Sequence, residues 1–191
     1  ASATGRADAT ATGFALAGLL AAGGSLGSSQ VASNATVTVA NNSRIDAGTI
    51  GIGATLLAPQ VTSFSSGSAG ALVGVNATVS NAATTGSAVT AISGSRLIAA
   101  GTASVSATSA TTQRAEASGL AVGIIAAGLN EAEARSTTTT RATLTDMTQV
   151  SAGQLFVNAA GTDANNAETT SGSGGVVAGA AAKADTISRG T

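Results

Sequence analysis

The sequence predicts an all-β protein of the β-solenoid (parallel β-helix) class. We expect right-handed coils, a repeat of about 52–53 residues and a thin core rich in alanine and valine. One observation is a segment that occurs three times: a short apolar strand, an Ala-Gly corner and a second strand. Its glycines are Gly48, Gly101 and Gly153, which are almost evenly spaced along the chain. The other observation is an apolar period of two, which indicates strands.

The second strand of each segment alternates apolar with small polar residues. Side chains alternate between the two faces of a strand, so each apolar set is expected to point inward. Ile52, Val105 and Val157 are equivalent positions, and we expect them to stack on one another. Their neighbours on the same face are Ile50 and Ala54, Ala103 and Ala107, and Leu155 and Ala159. Residues 119–136 are the best alternative candidate for a helix, because alanine favours helices.

A second set of glycines lies in four apolar segments that resemble one another, at Gly18, Gly74, Gly123 and Gly179. Gly18 is as far from Gly48 as Gly123 is from Gly153, but Gly74 is closer to Gly101. The sequence therefore predicts a deletion of three in the second repeat. Length changes are expected in the Gly- and Ser-rich segments 65–70 and 171–175, whose composition is typical of loops.

The whole chain, residues 1–191, reads as one array. The repeats are 13–66, 67–118 and 119–171, with partial repeats at 1–12 and 172–191. We expect each repeat to form one wide coil, since no half-period copy is visible; two narrower coils are the alternative. Neither end carries a polar cap, so we expect a longer array or end-to-end association. The most apolar stretch, 13–26, is short for a membrane span and is predicted to be a buried strand region.

The composition limits the function. Charged residues make up 9% of the chain and its net charge is −1, with no basic run, which argues against nucleic-acid binding. The chain has no His and no Cys, so it lacks the commonest general bases, nucleophiles and metal ligands. It has three Phe but no Trp or Tyr, which disfavours a carbohydrate-processing solenoid. We therefore expect no enzyme activity, no cofactor and no bound metal.

Three local patterns have alternative interpretations. Glu131, Glu133 and Arg135 would share one face of a strand, where a solvated charged row is favoured over a catalytic pair. A calcium site would need oxygen ligands such as Asp163, Asn165 and Asn166, but no Gly-Gly-x-Gly-x-Asp pattern is present. An ice-binding array would need threonine in every layer. At the positions of Thr137–Thr140 the first repeat has Ala32, Ser33, Asn34 and Ala35.

A family resemblance follows from the strand patterns. The Asn/Thr strand Val75–Asn81 and the segment Val105–Ser109, set among Ala-Gly-Val-rich strands, resemble the β-solenoid repeat regions of bacterial filamentous haemagglutinin-like and leukotoxin-like exoproteins. The repeat in this chain is longer than the coils of the best-known haemagglutinins. The resemblance implies an extracellular or cell-surface location and a role in adhesion.

The leading hypothesis is a non-catalytic structural segment that acts as the rigid stalk of a fibrous adhesin. Its partners would be other repeats of the same or neighbouring chains and the surface of a host or neighbouring cell. The alternative is a subunit of an extracellular filament or sheath that stacks end to end through its open edges. A membrane span within this segment is not expected.

Overall fold

A computed structural model describes the backbone of residues 1–191 and every side chain except that of Ala58. Nine strands make up the chain: β1 (Ser2–Leu16), β2 (Leu20–Val39), β3 (Arg44–Ala47), β4 (Ile50–Gly70), β5 (Val73–Ser93), β6 (Arg96–Val122), β7 (Ile125–Thr145), β8 (Gln149–Gly174) and β9 (Val177–Gly190). Within the described residues there is no helix, and so none that could cross a membrane. The helix alternative for residues 119–136 was therefore wrong: this range contains the end of β6, a two-residue corner and the first part of β7.

The strands form two sheets in which every pairing is parallel. The first sheet has the order β1-β4-β6-β8, and the short β3 also pairs with β6. The second sheet has the order β2-β5-β7-β9. The chain alternates between the sheets, which gives four layers: β1 with β2, β3–β4 with β5, β6 with β7, and β8 with β9. Parallel strands must be joined by a long crossover. Here the strand of the other sheet provides that crossover before the chain returns to the first sheet.

The strand register pairs the positions that the sequence aligns. Ile52 lies beside Val105, and Val105 lies beside Val157. The outward Thr139 lies beside Ser87, which in turn lies beside Asn34. Each of these steps leads from one strand to its hydrogen-bonded neighbour in the same sheet.

The core between the sheets is made of small side chains. Alanine is its commonest apolar residue, and the apolar cluster with the largest side chains combines Ile50, Ile92, Leu97, Ala99, Ala103 and Val105. Buried serine, threonine, asparagine and glutamine fill much of the rest. A core of this kind lets the two sheets approach closely, and it needs hydrogen bonds for its polar groups.

The Gly- and Ser-rich segments are not loops, contrary to the sequence prediction. Residues 65–70 belong to β4, and residues 171–174 belong to β8. At the inward-facing Gly67, the approach of the facing sheet requires a small residue. A Cβ atom on Gly67 would lie 2.6 Å from Oδ1 of Asn76 on β5.

The apolar stretch 13–26 was also predicted wrongly, as a buried strand region. It contains the end of β1, a corner and the start of β2. Phe14, Leu16, Leu19 and Leu20 point outward, and each is between 65% and 76% exposed. Alternation along β1 places small residues such as Ala15 on the inner face and the large residues on the outer one.

Candidate functional site

The two corners of the array have opposite chemistry. At the polar corner, between the second sheet and the next layer of the first, the turns contain Asn41, Asn42, Gly94, Asp146 and Met147, all with positive φ. Asparagine, aspartate and glycine tolerate this left-handed conformation, which explains most of the choices. Met147 is 94% exposed there, and nothing in the structure explains the methionine.

The other corner, which joins the first sheet to the second within each layer, is aliphatic. Backbone hydrogen bonds of 2.9–3.0 Å run from Val73 to Leu19, from Ile125 to Leu72 and from Val177 to Ile124, and they align the four layers. The term aliphatic corner is used below for two columns: Leu19, Leu72, Ile124 and Val176, followed by Leu20, Val73, Ile125 and Val177.

Gly48, Gly101 and Gly153 form a column at a bend within the first sheet. The Gly101 N–H donates a 2.8 Å hydrogen bond to the Gly48 carbonyl. A Cβ atom on Gly101 would lie 3.2 Å from the Gly48 oxygen, and one on Gly153 would lie 3.1 Å from the Gly101 oxygen. The predicted Ala-Gly corner is thus a bend between β3 and β4 that β6 and β8 pass through as continuous strands.

Gly18, Gly74, Gly123 and Gly179 do not share one register position, so their alignment in the sequence was wrong. Gly18 and Gly123 lie in the turns that lead into the aliphatic corner, whereas Gly74 and Gly179 lie inside β5 and β9. Ala71 occupies the position of Gly123, since both N–H groups bond to the last residue of the next first-sheet strand. The predicted deletion disappears with this register. The first layer instead has a slightly longer corner, because Ala17, Gly18 and Leu19 separate β1 from β2, whereas only Ala71 and Leu72 separate β4 from β5.

The inward row of Ile52, Val105 and Val157 is buried unevenly. Val105 is 1% exposed within the third layer, whereas Val157 is 47% exposed. Val105 lies between strands β4 and β8 of its sheet, whereas Val157 is paired on one side only, with Val105.

Polar side chains form a network inside the array at its centre. Nε2 of Gln113 donates a hydrogen bond of 2.7 Å to Oγ1 of Thr84. One layer further, Nδ2 of Asn165 donates to Oγ of Ser136 at 3.2 Å and to the Ile187 carbonyl at 2.9 Å. These bonds join the two sheets, and they give the side-chain N–H groups of Gln113 and Asn165 hydrogen-bond partners.

Asp163 is an inward-facing carboxylate beside this network. Thr111 donates to Oδ1 at 2.6 Å, and Ser188 donates to Oδ2 at 2.5 Å. Partial burial raises the pKa of Asp163, but hydrogen bonds from Ser188, Thr111 and Ser136 together outweigh it, so the net pKa is below its ordinary value. The carboxylate is therefore held ionised and is a weak base.

A cavity of about 430 Å³ adjoins Asp163. It is lined by Thr138, Thr140, Ala159, Gly161, Asp163, Ser188, Gly190 and Thr191. Hydroxyls and one carboxylate provide hydrogen-bonding groups, and the carboxylate, Asp163, accepts hydrogen bonds from Thr111 and Ser188. The lining can therefore bind water or small polar groups.

The calcium ligands considered from the sequence do not converge. Asp163 and Asn165 lie on the inner face of β8, and Asn166 is exposed on the outer face. Among the residues whose side chains are described, no group of three or more acidic, His or Cys residues is placed to hold a metal ion.

Charged residues lie on the outer face of the second sheet. Arg135 bonds to Glu133 within β7, and Lys183 on β9 contacts Glu131 at 3.0 Å and Asp185 at 2.6 Å. Hydrogen bonds to Asp185 and Glu131, and their negative charges, raise the pKa of Lys183. This is a solvated row with compensated charge.

The outward threonines do not form a uniform array. The row of Thr139 contains Ser87 and Asn34 in the neighbouring layers. The regular spacing of threonine that an ice-binding surface would need is therefore missing from this row.

Sequence reasoning missed two features of these surfaces. Asp163 continues the inward series Leu155, Val157, Ala159 and Gly161, so its parity would have placed it inside. The aliphatic corner would have emerged from the regular spacing of Leu72, Ile124 and Val176, which follows the same repeat as the rest of the chain.

Comparison with protein-family models, with curated proteins and with solved structures gave no match.

Proposed function

We propose that the chain is a β-solenoid in which each layer is one wide, flattened coil that contains one full repeat of the sequence. The observation that supports it most is the register, because the inward positions Ile52, Val105 and Val157 of the first sheet pair with one another one repeat apart. We take the coil as right-handed, because crossovers between parallel strands of one sheet are right-handed in about 98% of cases.

We propose a non-catalytic, structural role as the rigid stalk of a secreted or cell-surface bacterial fibrous adhesin. Long parallel ladders join neighbouring strands, and interior side chains such as Gln113 and Asn165 tie the sheets together. Such an arrangement resists local opening, since few backbone groups are left to fray. The stalk would present a binding tip or outer-face loops to a host or neighbouring cell.

The alternative proposal is a filament or sheath subunit that stacks end to end. It is favoured by the apolar side chains of β8, since Leu155, Phe156 and Val157 are between 46% and 55% exposed. A strand edge that is left unpaired is a template for pairing with another chain.

Negative-stain electron microscopy of the native source material, together with the intact mass of the extracted chain, tests both proposals. Long rods from a chain many times larger than 17.8 kDa are expected for a stalk. Long fibres built from a chain near 17.8 kDa would replace the stalk with the filament. Compact monomeric particles would contradict both.

A further inference from the structure

We propose that the array pairs laterally with a second copy of itself, antiparallel, through the aliphatic corner and the adjoining outer face of the first sheet. The inference concerns the side of the array, so it goes beyond a stalk role and differs from stacking through the ends.

The chemistry of the aliphatic corner is not required by the turns. Tight turns favour glycine, asparagine, aspartate and serine, and the opposite corner uses such residues. Here every position of the two columns is Leu, Ile or Val. Stacking of layers covers them only in part: Leu72, Ile124 and Ile125, in the two middle layers, remain 45%, 51% and 49% exposed.

The adjoining face of the first sheet alternates large and small residues from layer to layer. One outward row runs Phe14, Ser68, Leu120, Gly172, and the next runs Leu16, Gly70, Val122, Gly174. The large residues project from the first and third layers: Phe14 is 73% exposed, Leu16 74%, Leu120 49% and Val122 47%. The second and fourth layers are recessed.

This alternation is self-complementary in one orientation. A second copy turned antiparallel sets its fourth layer against the first layer and its third against the second. Phe14 then meets Gly172 of the other copy, and Leu120 meets Ser68. A depression of about 330 Å³, lined by Gly67, Ser118, Gly119, Leu120, Thr170, Ser171 and Gly172, is placed to receive the phenyl ring. Such a two-fold contact closes into a dimer.

The exposed apolar area approaches that of a standard dimer interface. Full burial of one such side chain removes roughly 60–120 Å² of apolar surface from water. Eleven of these residues are about half exposed or more. Together they expose on the order of 600 Å² of apolar surface. They are the aliphatic corner without Val73, and Phe14, Leu16, Leu120 and Val122. With a polar rim this approaches the roughly 800 Å² per partner of a standard interface.

The flanking charges favour a protein partner over a lipid surface. The strands that adjoin the corner carry both signs of charge in compensating pairs: Arg114 contacts Glu116 at 3.1 Å, and Lys183 contacts Glu131 at 3.0 Å. An anionic bilayer attracts clustered, uncompensated lysine and arginine, and these pairs provide no such cluster.

Disulfide trapping of the double variant Phe14→Cys/Gly172→Cys tests the geometry, because the chain has no native cysteine. The two positions are three layers apart in one copy, about 14 Å at about 4.8 Å per layer, too far for an intrachain bond. The antiparallel pair predicts a covalent dimer as the only product under mild oxidation. A ladder of multimers would indicate end-to-end stacking, and unlinked monomers would show that the corner does not pair; either result overturns the proposal.

Sedimentation equilibrium supplies an independent measurement on chains without cysteine. The wild type is expected to form a concentration-dependent dimer, Leu120→Asp to shift it towards monomer at least tenfold, and the control Met147→Asp at the polar corner to leave it unchanged. A monomeric wild type, an unaffected Leu120→Asp dimer, or flotation of the protein with anionic vesicles would overturn the proposal. Circular dichroism checks that each variant keeps its strands.

Discussion

Gln113 and Thr84 join the two sheets through a hydrogen bond of 2.7 Å between side chains that are both fully buried. Gln113 lies on β6 and Thr84 on β5, so the bond also couples the second layer to the third. Removal of one partner leaves the other buried without its hydrogen bond, which costs more than the bond itself contributes.

We therefore expect Gln113→Leu and Thr84→Val each to lower the free energy of unfolding by about 1–3 kcal/mol. The double variant should be less destabilised than the sum of the two, because neither polar group then remains. Urea denaturation of the four proteins measures this coupling. Strictly additive effects would show that the two side chains do not interact in solution.

Gly123 and Gly18, in the turns that lead into the aliphatic corner, allow the same substitution to be compared in a crowded and in an open position. A Cβ atom on Gly123 would clash with the Ala71 oxygen and lie 2.9 Å from the Ile125 oxygen, whereas one on Gly18 would meet no atom within 4 Å. Gly123→Ala should cost about 1–3 kcal/mol, since backbone must move. Gly18→Ala should be neutral or stabilising by a few tenths of a kcal/mol. Equal thermal stability of the two variants would contradict this register.

The lowered pKa of Asp163 predicts a dependence of stability on pH. A carboxyl group whose pKa is lower in the folded state stabilises the fold above its unfolded value, about 3.9, and this contribution is lost as pH falls through the folded pKa. Asp163→Asn should be less stable than the wild type by about 1 kcal/mol between about pH 5 and 8, given partial exposure.

Below about pH 4 the advantage of the wild type over Asp163→Asn should shrink as the carboxyl group is protonated. Thermal melts across the pH range measure the difference. Asp8→Asn, on the outer face of β1, is the control. A difference between wild type and Asp163→Asn that stays constant throughout the acidic range would show that the hydroxyls do not favour the charged form.

Two inward-pointing leucines of the first sheet differ in how deeply they are buried. Leu97 is 0% exposed, and Leu155 is 46% exposed although both point inward on the first sheet. Leu97→Ala should cost about 2–5 kcal/mol, because it opens a cavity in the apolar cluster around Ile50, Ile92 and Leu97. Leu155→Ala should cost clearly less, as judged by urea denaturation; a larger loss at Leu155 would mean that this row is covered in solution.

The features of the fold that could be predicted are those that recur at a regular interval in the sequence. The alternation of side chains around Val105 reflects the strand period of two. The interval from Gly48 to Gly101 reflects the stacking of strands. Both patterns can be seen in the sequence alone. The glycines at 18, 74, 123 and 179 misled the alignment, because a glycine in an open corner and one in a tight strand contact look alike in sequence. Their spatial surroundings, not their spacing, distinguish them.

The surfaces were harder to predict for a similar reason. Apolar residues such as Leu19 and Leu20 suggest burial, since hydrophobic side chains are usually inside. Only the layer register reveals that they line one outer corner. From the sequence, Asp163 was considered only as a possible calcium ligand, because the hydroxyls that bond to it, on Thr111 and Ser188, are 52 and 25 residues away in the chain.

The parallel register between layers is the central claim, and thiol crosslinking tests it most directly. Ser104 and Phe156 are paired neighbours on the outer face of β6 and β8, and Phe156 is 55% exposed. In the double variant Ser104→Cys/Phe156→Cys, a short fluorogenic bis-alkylating reagent should link the two thiols within one chain. The control Ser104→Cys/Asn166→Cys, further along the same face, should give no link. A link in the control, or none in the paired variant, would contradict the register and with it the layered architecture.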